Sequence, residues 1–433
     1  MDSETPSLLP QGATPGRGLA IASLVLGIIG LCLSLFVVGA VLGLAGAAVG
    51  LVHVAGKRGR NGMAWWGVSL SVLSILSGIL FGVVYFRVFQ SVKATMSSAQ
   101  APTSEPAPPA SALKQADKML TPVSLWSVNL PGAAAICSGD WEGNGQKEIL
   151  VASDKLHVLG LDGVEKSTVS LPDRFTAIEC GRDRQKGPRL LGYTTWGHQV
   201  EIIDSHGNKL WRYSALLGVD GAHWVDLDGD GTDEMIVGMN GFGGLDAVSS
   251  DGKKLWHVAL ANVWSQAAIS AEAARPAQVF ATEAGGSVRS FDAKGQALRV
   301  LKPNGEYCTK LAAGFSKQTG AVQVLVLGQG SAGTEALAFD STGQIAWSTP
   351  VKASPGTGGG ADFASGDLMG DGTLDWAFLE PSGDLALATT DGKKVATIAG
   401  GSGITGFTIV SDAQGHGLLV VLRGASLEAF SFK

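Results

Sequence analysis

Between residues 163 and 392 the chain repeats one pattern six times: a strand-like run, a turn closing on glycine, and a second strand-like run that often carries tryptophan. The turns read GLDGVEKS, IDSHGNKLW, VSSDGKKLW, FDAKGQALR, FDSTGQIAW and ATTDGKKVA. Their glycines, Gly163, Gly207, Gly252, Gly295, Gly343 and Gly392, are 44, 45, 43, 48 and 49 residues apart. Four short strands occupy about 40–45 residues, the unit of a β-propeller blade. Six turns give six blades, but residues 403–433 add GFTIVSDAQG, GLLVVLRG and SLEAFSFK, three strands without an outer fourth. The segment VSLWSVNL, Val123 to Leu130, looks like the missing strand. Pairing it into the last blade would close the ring and remove an open sheet edge. The expectation is an all-β, seven-bladed β-propeller over residues 120–433, with six or eight blades as the alternatives.

Inside the repeat lies DLDGDGTDE, Asp226 to Glu234. Oxygen-bearing side chains at positions 1, 3, 5 and 9, with Gly231 at position 6, give the ligand spacing of a calcium loop, since calcium takes six to eight oxygens. An EF-hand would need Glu at position 12 and a following helix. Here position 12 is Val237, and the strand-like EMIVG follows. Related loops are DWEGNGQKE, Asp140 to Glu148, and DLMGDGTLD, Asp367 to Asp375. The three begin 26, 23 and 25 residues before a repeat glycine, so each should join the innermost strand of a blade to the next one outward. Met369 at position 3 makes the third a degenerate copy. A solvated acidic turn without metal is the competing reading.

The N-terminal part is of another kind. After a tail at 1–16, no Asp, Glu, Lys or Arg occurs between Arg17 and Lys57, far beyond the roughly 20 residues that span a bilayer. A second apolar run, Met63 to Phe86, has Trp65, Trp66 and Tyr85 at its ends. Residues 17–87 thus read as an α-helical transmembrane domain of two or three spans, the first run crossing once or twice. The basic loop at 56–62 should stay cytoplasmic, placing everything after the last span outside. Residues 88–119 are rich in Ala, Pro and Ser and read as an extended linker.

The AIASLVLGIIGL run and basic loop resemble a small bacterial membrane domain of unknown function with an SLVLG signature, which implies a cytoplasmic-membrane anchor. The acidic loops resemble the FG-GAP/VCBS propeller repeat of integrin-type and bacterial surface proteins. The D-x-x-G-x-x-x-W turns look like the PQQ-like repeat. By this resemblance Asp226, Asp228, Asp230 and Glu234 would give side-chain ligands to structural calcium, and Thr232 its carbonyl. Asp140, Glu142, Asn144, Gln146 and Glu148 would form a weaker site.

Residues 1–119 hold eight Lys/Arg and four Asp/Glu; from totals of 32 and 38, residues 120–433 keep 24 and 34, a net of −10. That excludes a nucleic-acid partner, whose phosphates need a basic face. Cys137, Cys180 and Cys308 read first as small buried hydrophobes near strand starts, with a Cys137–Cys180 disulfide as the alternative. The seven histidines form no HxH or HExxH pattern; His223 and Trp224 are placed to face the central channel. GTGGGAD, Gly356 to Asp362, reads as a loop rather than a phosphate cradle. Trp126, Trp211, Trp256 and Trp347 recur at one repeat position, which assigns them to inter-blade contact rather than to a carbohydrate platform. The function expected is a membrane-embedded protein with an extracytoplasmic, protein- or glycan-binding propeller. The alternative is a propeller enzyme of quinoprotein dehydrogenase or lyase type.

Overall fold

The computed structural model describes Ala48, residues 68–73 and Leu76 within the first 98 residues, and 111–433 except 273–274, 304–306, 331–332, 353–362, 401–402 and 413. The chain divides into two units, Met1–Ser98 and Ala99–Lys433. The described residues of the first unit are helical. No helix among the described residues is long and apolar enough to cross a membrane. Most of the membrane domain expected at 17–87, and the glycine-rich segment at 356–362, lie outside the described residues.

In the second unit the strands assemble into seven sheets, each with four antiparallel strands. Blade 1 runs from its inner strand Ala135–Gly139 to its outer strand Glu165–Val169, and blade 2 from Ala177–Asp183 to Lys209–Ser214. The corresponding pairs are Val219–Val225 and Lys254–Val258 in blade 3, and Gln266–Ile269 and Ala297–Leu301 in blade 4. Blade 5 has Tyr307–Phe315 and Ile345–Pro350, and blade 6 has Phe363–Gly366 and Lys393–Ile398. In blade 7 three C-terminal strands, Ile404–Ser411, Gly417–Arg423 and Ser426–Phe432, are completed by Pro122–Asn129, which pairs antiparallel with the last of them. Inner strands lie side by side round the ring, blade 7 against blade 1. The architecture is therefore a seven-bladed propeller.

Both faces of every sheet are covered, which is why middle strands such as Glu148–Ala152 and Glu234–Met239 are buried throughout. Seven apolar clusters fill the seven gaps between blades. In the closing gap, Ile149, Val151 and Leu159 of blade 1 meet Val420, Leu422 and Leu427 of blade 7.

Two features differ from the expectations above. Cys137 and Cys180 form a disulfide linking the inner strands of blades 1 and 2, with Cα atoms 6.2 Å apart. Adjacent inner strands bring the two residues together although 43 positions separate them, while Cys308 is a buried thiol. The linker expected at 88–119 also stops short. Ser111–Ala112 adds in parallel to the outer strand of blade 5, and Lys114–Gln115 to that of blade 6. Leu113, Ala116 and Leu120 pack against the neighbouring cores. Residues 111–121 therefore form a strap leading into the closing strand.

The repeat pattern has a direct physical cause. Each tryptophan of the outer strand lies over the turn of the next blade and donates its indole N–H to a carbonyl there: Trp126 to Leu161 (2.8 Å), Trp211 to Ser250 (3.0 Å), Trp256 to Ala293 (2.9 Å) and Trp347 to Thr390 (2.9 Å). The glycine of that turn is the seat for the ring. A Cβ on Gly163 would come within 2.5 Å of Trp126, and one on Gly392 within 2.7 Å of Trp347. Between blades 4 and 5, Arg299 takes the tryptophan's place and donates to the Ser341 carbonyl. These tryptophans are inter-blade staples, as their spacing implied. Gly163→Ala should therefore cost more than Gly132→Ala. Both glycines have φ +79°, but Gly132 faces open space. Left-handed strain costs each variant about 1 kcal/mol, and the Trp126 collision should add about 1–2 kcal/mol to Gly163→Ala alone, read from chemical denaturation midpoints.

Candidate functional site

The three acidic loops each follow an inner strand and are built alike. The aspartate at position 1 accepts hydrogen bonds from loop amides: Asp226 from Gly229 (2.7 Å) and Gly231 (2.9 Å), Asp140 from Asn144 (2.9 Å) and Gly145 (3.0 Å), Asp367 from Asp371 (3.1 Å) and Gly372 (3.0 Å). The acid at position 9 accepts the amide of position 2: Glu234 from Leu227 (3.0 Å), Glu148 from Trp141 (2.9 Å), Asp375 from Leu368 (2.9 Å). Glycines at positions 4 and 6 all have positive φ, from +69° to +88°. The shared residues thus shape the loop before any ion is considered.

Where the loops differ decides what each can hold. In blade 3 carboxylate oxygens of Asp226, Asp228 and Glu234 lie within 4.8 Å of one another, with Asp226 and Glu234 buried. Asp230 falls outside this cluster; its carboxylate accepts the Thr232 amide (2.7 Å) and its carbonyl accepts from the Arg184 guanidinium (3.2 Å). Burial, then the charges of Asp228, Asp226 and Asp230, push Glu234 up to about 7. A hard-oxygen donor set with uncompensated negative charge fits calcium. In blade 1 the charge is already compensated: Lys166 of the outer strand reaches Glu148 (2.8 Å) and Glu142 (3.1 Å). Asn144 Nδ2 donates to Glu142 (3.0 Å), and its Oδ1 accepts from the Gln146 amide (2.8 Å). In blade 6 the fully buried Asp375 is pushed to about 7 by burial, with Asp371 and Asp367 adding. The spacing did not flag Asp233. It exchanges hydrogen bonds with Arg182 of blade 2 (2.7 and 2.9 Å), and burial raises it to about 6.

A second site lies at the other end of the inner strands. A cavity of about 380 Å³ opens at the channel, lined in part by Glu179, Asp220, His223, Trp264, Gln266 and Lys310. His223 Nδ1 is 2.8 Å from Glu179 Oε2. Burial pulls the imidazole pKa down, but the Glu179 carboxylate outweighs it and the net shift is upward. Burial pushes Asp220 up to about 6. Both residues marked for the channel, His223 and Trp224, line the cavity. Trp224 is buried between blades 2 and 3, its indole donating to the Glu179 carbonyl (3.3 Å). Around the mouth, successive loops are tied by backbone bonds: Trp196 to Val219, Asn240 to Gly218, Asn262 to Gly241 and Ala284 to Ala261. On this rim Trp196, Leu216 and Phe242 are 60%, 75% and 79% exposed. Trp196 has φ 66°, a conformation rare for a bulky residue and met at functional positions.

One further array has catalytic spacing without catalytic surroundings. Ser153 Oγ is 3.0 Å from His157 Nε2, and His157 Nδ1 is 2.9 Å from Glu165 Oε1. Ser153 and His157 are buried, and Ser153 Oγ is engaged by Asp154 and the Lys155 carbonyl, so the chain braces the middle hairpin of blade 1.

Two solved structures share this architecture. A crystal structure of BBS1N in complex with ARL6DN, soaked with mercury, matches with TM-score 0.57 at 12% identity, covering 72% of this chain and 96% of that one. The same complex soaked with lead matches with TM-score 0.53 at 13% identity, covering 75% and 98%. At such identities the likeness is one of fold. No protein-family model and no curated protein matches the sequence, so the likeness to FG-GAP/VCBS and PQQ-like repeats rests on the loop and turn motifs themselves.

The buried acids give a pH signature for the calcium-free protein. Glu234, Asp375 and Asp233 have folded pKa values of about 7, 7 and 6, above ordinary carboxyl values. The folded state then binds protons more tightly than the unfolded chain. Their contribution is greatest below the unfolded pKa and is lost as pH rises through 6 to 7. With a chelator present, the melting temperature should be higher at pH 6 than at pH 8. Glu234→Gln should shrink the corresponding difference in unfolding free energy, read from denaturation midpoints at the two pH values, by about 1 kcal/mol, since a tenfold change in proton affinity is worth about 1.4 kcal/mol.

Proposed function

We propose that this chain is a membrane-anchored binding module. Its propeller stands on the extracytoplasmic side, meets a protein or glycan partner at the loop face around the channel mouth, and is braced by calcium in blade 3. The observation that carries the binding reading is that face. Three large exposed apolar side chains are carried on hydrogen-bonded neighbouring loops, at the end of the blades where the polar cavity opens. Exposed apolar groups concentrated on one face mark interaction surfaces. The fold neighbour BBS1N was crystallised in complex with ARL6DN, so this architecture can serve in a protein complex. The Cys137–Cys180 disulfide suits an oxidising compartment, and the charge-free run between Arg17 and Lys57 suits an anchor.

In the calcium part of the proposal, Asp226, Asp228 and Glu234 hold the ion, with Asp230 and the Thr232 carbonyl completing the shell. The ion would replace repulsion among three carboxylates with attraction. The blade 1 loop, neutralised by Lys166, would bind more weakly. Chelation should lower the melting temperature because a ligand specific to the folded state stabilises it by mass action. Asp228→Ala should remove most of the shift, while Asn144→Ala should leave most of it. An unchanged melting curve on chelation would remove calcium from the proposal.

The binding reading is tested by crosslinking in native membranes followed by capture of the full-length protein. A specific protein or glycan partner should be recovered, and Leu216→Ser with Phe242→Ser should reduce recovery several-fold. No specific partner of either kind from the unaltered protein would count decisively against it.

A further inference from the structure

We propose that the cavity at the channel mouth holds the end of a neutral glycan, with one sugar ring against Trp264 and its hydroxyls met by Asp220 and the polar wall. This rests on the binding-module reading and names what the module holds. The cavity, about 380 Å³, lies within the range of small-ligand sites, roughly 300–1,000 Å³. Its wall carries charges of both signs: Glu179 and Asp220 against Lys310 and the His223 imidazole. A cationic ligand would suit Asp220 but meet Lys310, and an anionic one would suit Lys310 but meet Glu179 and Asp220. A hydroxyl both donates and accepts, so a neutral polyol can satisfy either sign without like-charge contact.

Unmatched polar atoms point the same way. Asp220 Oδ2 is buried without a hydrogen-bond partner among the described residues. So are Oε1 and Nε2 of Gln266, a residue only 1% exposed. Leaving a buried polar group unpaired is costly, so such groups favour a ligand that pairs them. The Gln266 amide lies between Gly221 and Gly238, at either of which any side chain would collide with it, and Gln266 and Gly221 both belong to the cavity wall. Two acceptors and a donor on residues of one cavity wall match a ligand rich in hydroxyls.

The aromatic surface is Trp264, half-buried on the wall and tilted against Tyr307 with ring centroids 5.0 Å apart. Tyr307 is fixed by its own hydroxyl, which donates to the Ala284 carbonyl (2.7 Å). An indole supported in this way offers a rigid apolar plate beside the polar groups, the combination that the two faces of a sugar ring require. The repeat tryptophans cannot serve, because they are engaged between blades.

The test uses detergent-solubilised full-length protein on an array of neutral, amino-bearing and acidic oligosaccharides, followed by calorimetric titration of the strongest binders. Neutral glycans should bind, and Asp220→Asn and Trp264→Ala should each weaken Kd about tenfold, a loss of about 1.4 kcal/mol. Asp220→Asn preserves size, and unchanged thermal melting of that variant separates lost binding from lost fold. Preference for acidic or amino-bearing glycans, or binding that survives both substitutions, would overturn the assignment. A blank array alongside a captured protein partner would remove this inference and leave the binding-module reading standing. A blank array with no captured partner would remove both.

Discussion

The pairing of Pro122–Asn129 with Ser426–Phe432 holds everything else in place, because a propeller exists only as a closed ring. The two strands are about 300 residues apart in sequence, and bringing such distant segments together costs about 5 kcal/mol in the length-dependent term alone. Three kinds of contact offset that cost: the antiparallel ladder, the apolar cluster between blades 7 and 1, and Trp126 seated on Gly163 with its indole bonded to Leu161. The strap at 111–121 extends the closure across the outer edges of blades 5 and 6. If the closing strand came away, a sheet edge and two apolar faces would be exposed together.

Closure also creates the two ends of the propeller at which the candidate sites lie. The inner strand of blade 3, Val219–Val225, has Asp220 near one end and is followed by Asp226 at the other. Seven residues of strand span about 23 Å. The same strand therefore places one carboxylate in the channel-mouth cavity and another in the loop proposed to hold calcium. The disulfide between the inner strands of blades 1 and 2 fixes the neighbouring wall, close to Glu179. A covalent tie beside a wall residue limits its movement, which favours a preorganised cavity.

The acidic loops show how one sequence motif can serve two purposes. Aspartate at position 1, glycine at 6 and an acid at 9 close the loop by hydrogen bonds in all three copies, and the glycine at 4 supplies a positive-φ turn. Their recurrence therefore reports loop shape first. What distinguishes blade 3 is that its carboxylates converge with no cationic side chain paired to them among the described residues, whereas in blade 1 Lys166 supplies one. Lys166 lies 18 residues beyond Glu148 on another strand, so the loop motif alone could not reveal it.

The architecture was legible in the residues themselves. The spacing of Gly163, Gly207, Gly252, Gly295, Gly343 and Gly392, with tryptophan beyond several of them, reflects a contact made between neighbouring blades, and a local constraint repeated round a ring shows as a period. The three-strand tail and the VSLWSVNL segment disclosed the seventh blade for the same reason. Which distant residues meet is a property of the folded ring alone. Cys137 with Cys180, Lys166 with Glu142 and Glu148, residues 111–115 with blades 5 and 6, and Glu179, Asp220, Trp264, Gln266 and Lys310 round one cavity all leave no local pattern. Their partners lie on other strands or blades, and their proximity is set by how the ring closes rather than by the residues on either side.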